Sequence, residues 1–581
     1  MPPAFFRAAS LADLQSKQML TVSGADRLVL LCWSEDRVFA FDSRCPHMGF
    51  PLSKGSLKEG ILTCHWHHAQ FDLKSGCAFD LWADDVQVFE VRIDGDEVWV
   101  AKRPKQDPGT NHHEKRLRWG LEQNIGLIQA KSIVALLALG EETDRVVRKI
   151  AEFAARNHQV WGDGLTTLTI VARIAPFLES ETLVYAMAKA ARRVAENCSG
   201  QPARRSTGGL NGEGFEEARL RQWLFHWAQV RQDDGAERTI IAALDSGLGE
   251  PALNRIIFGA IQERIYADGG HALDQSNKGF ELLENIGWDN AAEILPLLTQ
   301  HITQTRSEEE GGAWRVPIDL TSLIRKAEEE LQRSPHLRLP EVRLPENFYF
   351  LLLESDPAKI IAEIRNALLE GVPGVAIAEQ LALAAAWRLA CFPESNDIDD
   401  WFAPVHTFSF CNALYQVLSR GETGCEVKRG LLHAAMSIYV DRFLNIPSSK
   451  LPAEAALEPL PTSAENLLTQ ILLTLDQRTS WNLVPALVMR YLRLGHPEKR
   501  LIDTLVFATV REDLDFHKLQ VLEAAITQAQ NWPPGSGQRE LFYVAAARHL
   551  AAHCPTRRSS GQSVTVALRL HRGEALELIG D

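Results

Sequence analysis

Two short clusters constrain this chain more than any other feature. They are Cys45-Pro-His47 and Cys64-His-Trp-His67, a C-x-H and a C-x-x-H separated by sixteen residues. Two thiolates and two imidazoles in two tight loops suit a tetrahedral zinc ion or a two-iron, two-sulfide cluster. The ligand order bears on the choice. Zinc sites of the Cys2His2 type usually pair Cys with Cys and His with His, whereas each loop here offers one of each. Loops of that kind can reach across a two-iron rhomb, with the Cys pair on one iron and the His pair on the other.

The flanking sequence reads as strands. Leu28–Trp33, Val38–Phe41, Val86–Ile93 and Glu97–Ala101 are rich in β-branched and aromatic residues, and 86–93 largely alternates apolar and polar. Turn signals stand between them at Lys74-Ser-Gly76 and Asp94-Gly-Asp96. Residues 1–104 therefore predict a small antiparallel β domain.

This part of the sequence resembles the Rieske [2Fe–2S] domain family over residues 5–104. Cys64-His-Trp-His-His-Ala-Gln-Phe-Asp72 is similar to the second Rieske loop and the Phe-Asp after it. Gly76 matches the glycine of the next turn, and Phe39-Ala-Phe-Asp-Ser-Arg-Cys-Pro-His47 resembles the strand feeding the first loop. The resemblance implies that Cys45, His47, Cys64 and His67 hold the cluster. High-potential Rieske proteins carry an extra Cys in each loop, joined as a disulfide; Phe50 and Trp66 stand in those places. The implied type is the lower-potential ferredoxin and ring-hydroxylating-oxygenase domain. A glycine usually follows the second His, where this chain has His68. Two neutral imidazoles in place of thiolates leave less charge to accumulate on reduction than an all-thiolate cluster does.

The β domain accounts for a small part of the 581 residues, and single hydrophobic cores stop growing at roughly 250–300. Residues 105–117, with Pro104-Lys-Gln-Asp-Pro-Gly-Thr-Asn-His-His113, predict a linker. Residues 118–581 predict an all-α domain, a HEAT-like array of stacked helix pairs, with helices at Ile125–Leu139, Thr182–Asn197, Arg238–Leu244, Ala292–Thr305, Ala358–Leu369 and Ala376–Ala390. This region resembles that of uncharacterised bacterial Rieske-domain proteins in Trp119-Gly-Leu-Glu-Gln-Asn-Ile-Gly126, Asp268-Gly-Gly-His271, Asn277-Lys278 and Asp441-Arg-Phe-Leu-Asn-Ile-Pro447. That likeness brings no activity with it. The D/E-x-x-H-x4-H motif of oxygenase catalytic domains is absent.

A net charge of −14 disfavours nucleic acid as a partner. No run reaches about 18 apolar residues, so no membrane span is expected. The start shows no signal-peptide pattern, and nine cysteines spread thinly do not suggest a disulfide scaffold, so the expected location is cytoplasmic.

Electrons carried by a Rieske domain need a destination, and histidine is the commonest ligand for an oxygen-activating iron. In the helical region His271, Asp274 and Lys278 stand at i, i+3 and i+7 after Gly269-Gly270, and are catalytic candidates. His406 opens an apolar helix, and His517 follows Asp513 at a spacing that lets a carboxylate orient an imidazole. His271, His406 and His517 are the expected ligands of a second, non-heme iron. Lys131 interrupts an apolar run, and His549 and His553 form an i, i+4 pair.

Three functions fit. One is an oxidoreductase that takes electrons from a reductase or ferredoxin and passes them to the second iron for O2-dependent oxidation of a small organic substrate. Another is a Rieske ferredoxin with a non-catalytic helical docking scaffold. The last is a redox sensor. No flavin or nicotinamide fingerprint is evident, so reducing power should come from a separate protein. A homo-oligomer would let a neighbouring subunit shorten the electron path.

Overall fold

The computed structural model describes residues 4–24, 27–105, 108–205, 207–212, 214–333, 343–345, 347–421, 423–477, 481–513 and 515–574. It divides into two compact units, residues 1–142 with 562–581, and residues 143–561.

Among the described residues the first unit is built on nine strands: β1 (Phe5–Ser10), β2 (Met19–Ser23), β3 (Leu28–Ser34), β4 (Arg37–Asp42), β5 (Ser56–Lys58), β6 (Ile61–Thr63), β7 (Gln70–Asp72), β8 (Val88–Asp94) and β9 (Glu97–Pro104). Six form an antiparallel sheet in the order β1-β9-β8-β4-β3-β2, and β5-β6-β7 form a second, small sheet. The short helix α1 (Leu11–Lys17) is capped by Ser10, whose hydroxyl accepts from Asp13 N. Cys45 and Cys64 belong to a core with Leu30, Phe41, Leu52, Leu62 and Phe71. The β domain read from the sequence is thus present, with β3, β4, β8 and β9 over the four runs read as strands.

The linker is shorter than composition suggested. Residues 106 and 107 lie outside the described residues, but helix α2 (Thr110–Glu122) takes most of 105–117. Its inner face buries Leu117 and Leu121, and Arg116 pairs with Asp84 at 2.7 Å. These contacts outweigh the turn-like Pro-Gly-Thr-Asn composition. Helix α3 (Gly126–Ala138) follows, and α2, α3 and the helix Gln562–His571 belong to the β-domain unit rather than to the helical one.

The second unit is helical. Consecutive helices do pair, as 163–174 with 180–198 and 374–390 with 402–419. These pairs also pack on helices far along the chain, 163–174 on 516–529 and 374–390 on 537–553. A solenoid's repeats touch only their neighbours, so this unit closes on itself. The helix expected at 292–305 is broken into short pieces around Pro296, which cannot donate to the preceding turn. The helices that matter below are α4 (His271–Ile286), α5 (Phe402–Ser419) and α6 (Phe516–Ala529). Among the described residues no helix is long and apolar enough to cross a membrane.

Gly76 ties the loops of the small sheet to the large one. Its φ is +76°, and an added Cβ would sit 2.3 Å from the Val86 carbonyl oxygen. Val86 N donates to Gly76 O at 2.9 Å, so the strand beyond cannot back away without losing that bond. Gly76→Ala is expected to cost at least about 2 kcal/mol through left-handed strain and the clash. A thermal or denaturant melt of the variant checks this, and an unchanged midpoint would contradict it.

Candidate metal centres

Cys45 and His47 lie in the turn after β4, and Cys64 and His67 lie in the turn between β6 and β7. Each turn is closed by its own backbone. Cys45 N donates to Phe50 O at 2.7 Å and Gly49 N to Cys45 O at 2.7 Å; Cys64 N donates to Ala69 O at 2.8 Å. The closures turn further N–H groups inward. Those of His47 and Met48 donate to the Cys45 sulfur, and those of Trp66 and His67 to the Cys64 sulfur. Four N–H donors on two sulfurs stabilise thiolate.

The two thiols also face each other. The hydrogen bond from Cys45, helped by the backbone donors, pulls Cys64 down to about 6, and the same bond and burial push Cys45 up. The His47 and His67 rings stand 4.8 Å apart at 81°. Burial, then Lys131 and His67, hold the His47 imidazole down at about 4, so it is neutral, the form that ligates. Its Nδ1 is buried without a hydrogen-bond partner, a costly state unless that nitrogen binds something. Two thiolate-stabilising loops and two facing imidazoles, one with an orphaned nitrogen, fit a two-iron cluster.

A family model for the Rieske [2Fe–2S] domain matches residues 4–90. The ferredoxin component of the alkene monooxygenase system of Xanthobacter autotrophicus is 31% identical over 98 residues, 17% of this chain and 80% of that one. The chain belongs to the Rieske [2Fe–2S] family. The ferredoxin component of biphenyl 2,3-dioxygenase from Rhodococcus jostii is 31% identical over 98 residues, 17% of this chain and 92% of that one. Human apoptosis-inducing factor 3 is 36% identical over 89 residues, 15% of each chain, so only a small part of that relative's length is spanned.

The Rieske domain therefore takes a [2Fe–2S] cluster and transfers electrons. Its departures have structural counterparts. Phe50 and Trp66 face each other, ring centroids 5.8 Å apart, where the high-potential type would carry its disulfide. None of the nine cysteines is in a disulfide. His68 has φ +62°, the left-handed region, which explains why glycine is usual there. His67 and Trp66 are exposed while both cysteines are buried, so the His edge faces solvent.

In the helical unit His271, His406 and His517 come together. Each begins or nearly begins a helix, α4, α5 and α6 respectively. The turn before α4 runs through left-handed Asp268, Gly269 and Gly270. Gly270 is needed there, because a Cβ would meet Tyr266 at 3.2 Å and Phe410 at 3.3 Å with φ at +99°. His406 Nε2 lies 3.1 Å from His517 Nε2, which lies 3.3 Å from His271 Nε2. A ligand atom from each of the three lies within 4.8 Å of the others.

The outer nitrogens explain the geometry. His271 Nδ1 contacts both carboxylate oxygens of Asp274 at 3.2 Å, and His517 Nδ1 contacts Asp515 Oδ1 at 3.1 Å. An ionised carboxylate only accepts, so each Nδ1 carries a proton, and a ring in its neutral form presents a bare lone pair at Nε2. Two bare lone pairs 3.3 Å apart repel unless a proton or cation lies between them. Two imidazole nitrogens on one ion at about 2.0–2.1 Å stand roughly 2.9 Å apart at a right angle and roughly 3.4 Å at the tetrahedral angle. Burial tends to lower His271, but Asp274 raises it above its ordinary value; burial and the other two histidines hold His406 down at about 2.

The orienting carboxylate of His517 is Asp515, not Asp513 as the sequence spacing suggested. Helix α6 starts at Phe516, so Asp515 is its N-cap and accepts from both His517 N and His517 Nδ1. Lys518 binds its other oxygen at 2.7 Å. Asp513 instead holds Ser559 and Ser560. His301 was not anticipated; it is half-buried near Asp274 and His271, held down at about 4 by desolvation, and its buried Nε2 has no hydrogen-bond partner among the described residues. His549 and His553 pack on each other and on Trp401, and His549 lies near enough to Lys518, Asp515 and His517 to feel their charge.

Lys278 shares α4 with His271 and Asp274, but its ammonium donates to Glu281 at 2.6 Å and Glu523 at 2.8 Å rather than meeting Asp274. All three groups are almost wholly buried. This position makes Lys278 a structural counter-ion. Lys278→Met would leave two buried carboxylates sharing no ammonium and is expected to destabilise the helical unit by about 3–5 kcal/mol. Equilibrium unfolding of the variant measures this, and a loss of under about 1 kcal/mol would return Lys278 to the list of reactive groups.

Proposed function

We propose that this chain is a Rieske-type oxidoreductase that takes single electrons from a separate reductase or ferredoxin and uses them at a mononuclear iron held by His271, His406 and His517. The reaction class is O2-dependent oxidation of a small organic molecule. Cys45, His47, Cys64 and His67 hold the cluster, which supplies one-electron transfer. The observation that carries the reading is the pair of carboxylate-held imidazoles whose bare Nε2 lone pairs meet beside a third histidine.

Each residue has a part. Asp274 and Asp515 fix the tautomer and ring direction of His271 and His517, as outer-shell carboxylates do at histidine-held metals. The hydrogen bond from His517, then the charge of Lys518, keep Asp515 ionised against its burial. Three histidines leave positions on a metal open for O2 and substrate, unlike a closed structural site. Phe402 and Phe516 pack against the imidazoles and limit access of water. At the Rieske domain, exposed Trp66 beside His67, with exposed Phe79 and Leu81, offers an apolar rim for an electron-transfer partner. The ferredoxin components it resembles support the electron-transfer half of this reading.

Iron analysis tests it. The full chain, purified anaerobically with iron supplied, is expected to hold about three irons, and His406→Ala about two, with the cluster's absorption unchanged. Asp515→Asn should keep the ligands but weaken iron binding about 10–100-fold. An iron content of about two in the unaltered chain, with a complete cluster spectrum, would overturn the second iron and leave a ferredoxin with a docking scaffold.

A further inference from the structure

The first Rieske loop carries a contact that its relatives' ligand pattern does not describe. Lys131, on α3, donates from Nζ to the carbonyl oxygens of Pro46 at 2.5 Å and His47 at 2.7 Å. These two carbonyls have specific partners. The Pro46 carbonyl shares a peptide group with the His47 N–H, and the His47 carbonyl shares one with the Met48 N–H. Those are the two N–H groups that donate to the Cys45 sulfur. One ammonium therefore grips the far end of both peptides that face the thiolate.

We propose that Lys131 is a positioning residue that raises the reduction potential of the cluster by polarising the two peptide groups that donate to Cys45. A cation on a carbonyl oxygen draws electron density through the amide and makes its N–H a better donor, as chains of hydrogen bonds strengthen one another. Stronger donation to the sulfur stabilises the extra negative charge that reduction brings, and hydrogen bonds to the sulfurs are one of the levers on iron–sulfur potentials. The charge also sits in a largely desolvated position, where screening is weak. The effect is one-sided. Among the described residues the matching carbonyls of the second loop, on His65 and Trp66, take no side-chain donor.

The charges around Lys131 are few. Asp84 faces it, and Asp84 is itself paired with Arg116 at 2.7 Å, with His112 at 3.9 Å. Arg116 donates to Leu81 O at 3.0 Å and touches neither Pro46 nor His47 through a hydrogen bond. It is a nearby cation without the peptide grip, and so supplies the control.

The inference rests on Cys45 and His47 being cluster ligands, and the experiment separates the two questions. The full chain is reduced stepwise under anaerobic conditions, and the Rieske EPR signal gives the midpoint potential. Lys131→Met is expected to lower the equilibrium constant for one-electron reduction about tenfold, which is about 59 mV, with the signal's intensity retained. Lys131→Arg should recover most of the loss, and Arg116→Met should move the potential clearly less than Lys131→Met. A full Rieske signal with unmoved potential in Lys131→Met would overturn the proposal, as would an equal shift in Arg116→Met, which would make the effect plain Coulomb attraction. Should Lys131→Met fail to assemble the cluster, Lys131→Gln read against Lys131→Arg decides by the same shift. A Rieske signal that survives Cys45→Ala would instead overturn the ligand assignment.

Discussion

A histidine's two nitrogens are not independent: where one proton goes decides what the other nitrogen can do. Asp274 and Asp515 take the Nδ1 protons of His271 and His517, and so bare two lone pairs that converge 3.3 Å apart with His406 beside them. That arrangement has no reason to persist in a buried core without something positive between the rings. The helices follow from it as much as they cause it. Three helix starts meet at one place, the left-handed turn at 268–270 lets α4 begin there, and Asp515 both caps α6 and orients its histidine. One carboxylate thus sets the backbone and the chemistry together.

The Rieske loops solve the corresponding problem with backbone. Four N–H groups point at two sulfurs because each loop is closed on itself, and a half-buried His47 stays neutral because burial, Lys131 and His67 all disfavour its charge. Helices α2 and α3 complete the unit. They lie beyond the β sequence, yet they supply Arg116 and Lys131 to the segments around the first loop. The Rieske domain of this chain is larger than its sheet.

What could be read from the sequence follows the range of the interactions. The two Cys and two His sit in two local loops with fixed spacings, so the likeness to Rieske loops was legible, as were the strands on either side. The three triad histidines could be singled out one by one, as ionisable residues opening apolar helices. Their convergence could not, because His271 and His517 are 246 residues apart. Asp515 was missed in favour of Asp513 because an i, i+4 spacing was applied to a helix that starts later. Lys278 could be placed on one helix with His271 and Asp274, but not beside Glu523, which comes from another helix. The linker was overdrawn because Pro, Gly and His masked an amphipathic α2. Lys131 stood out only as a charge in an apolar run; its targets, two carbonyls more than eighty residues earlier, carry no side-chain signal.

The proposed function puts two different iron environments in one chain. Mössbauer spectroscopy of protein grown on enriched iron, reduced anaerobically, tests it without relying on turnover. The expected spectrum shows the cluster's two irons and a separate high-spin ferrous component of about half their combined area, lost in His517→Ala. Cluster components alone in the unaltered chain, or a ferrous component that persists when His517 is removed, would contradict it.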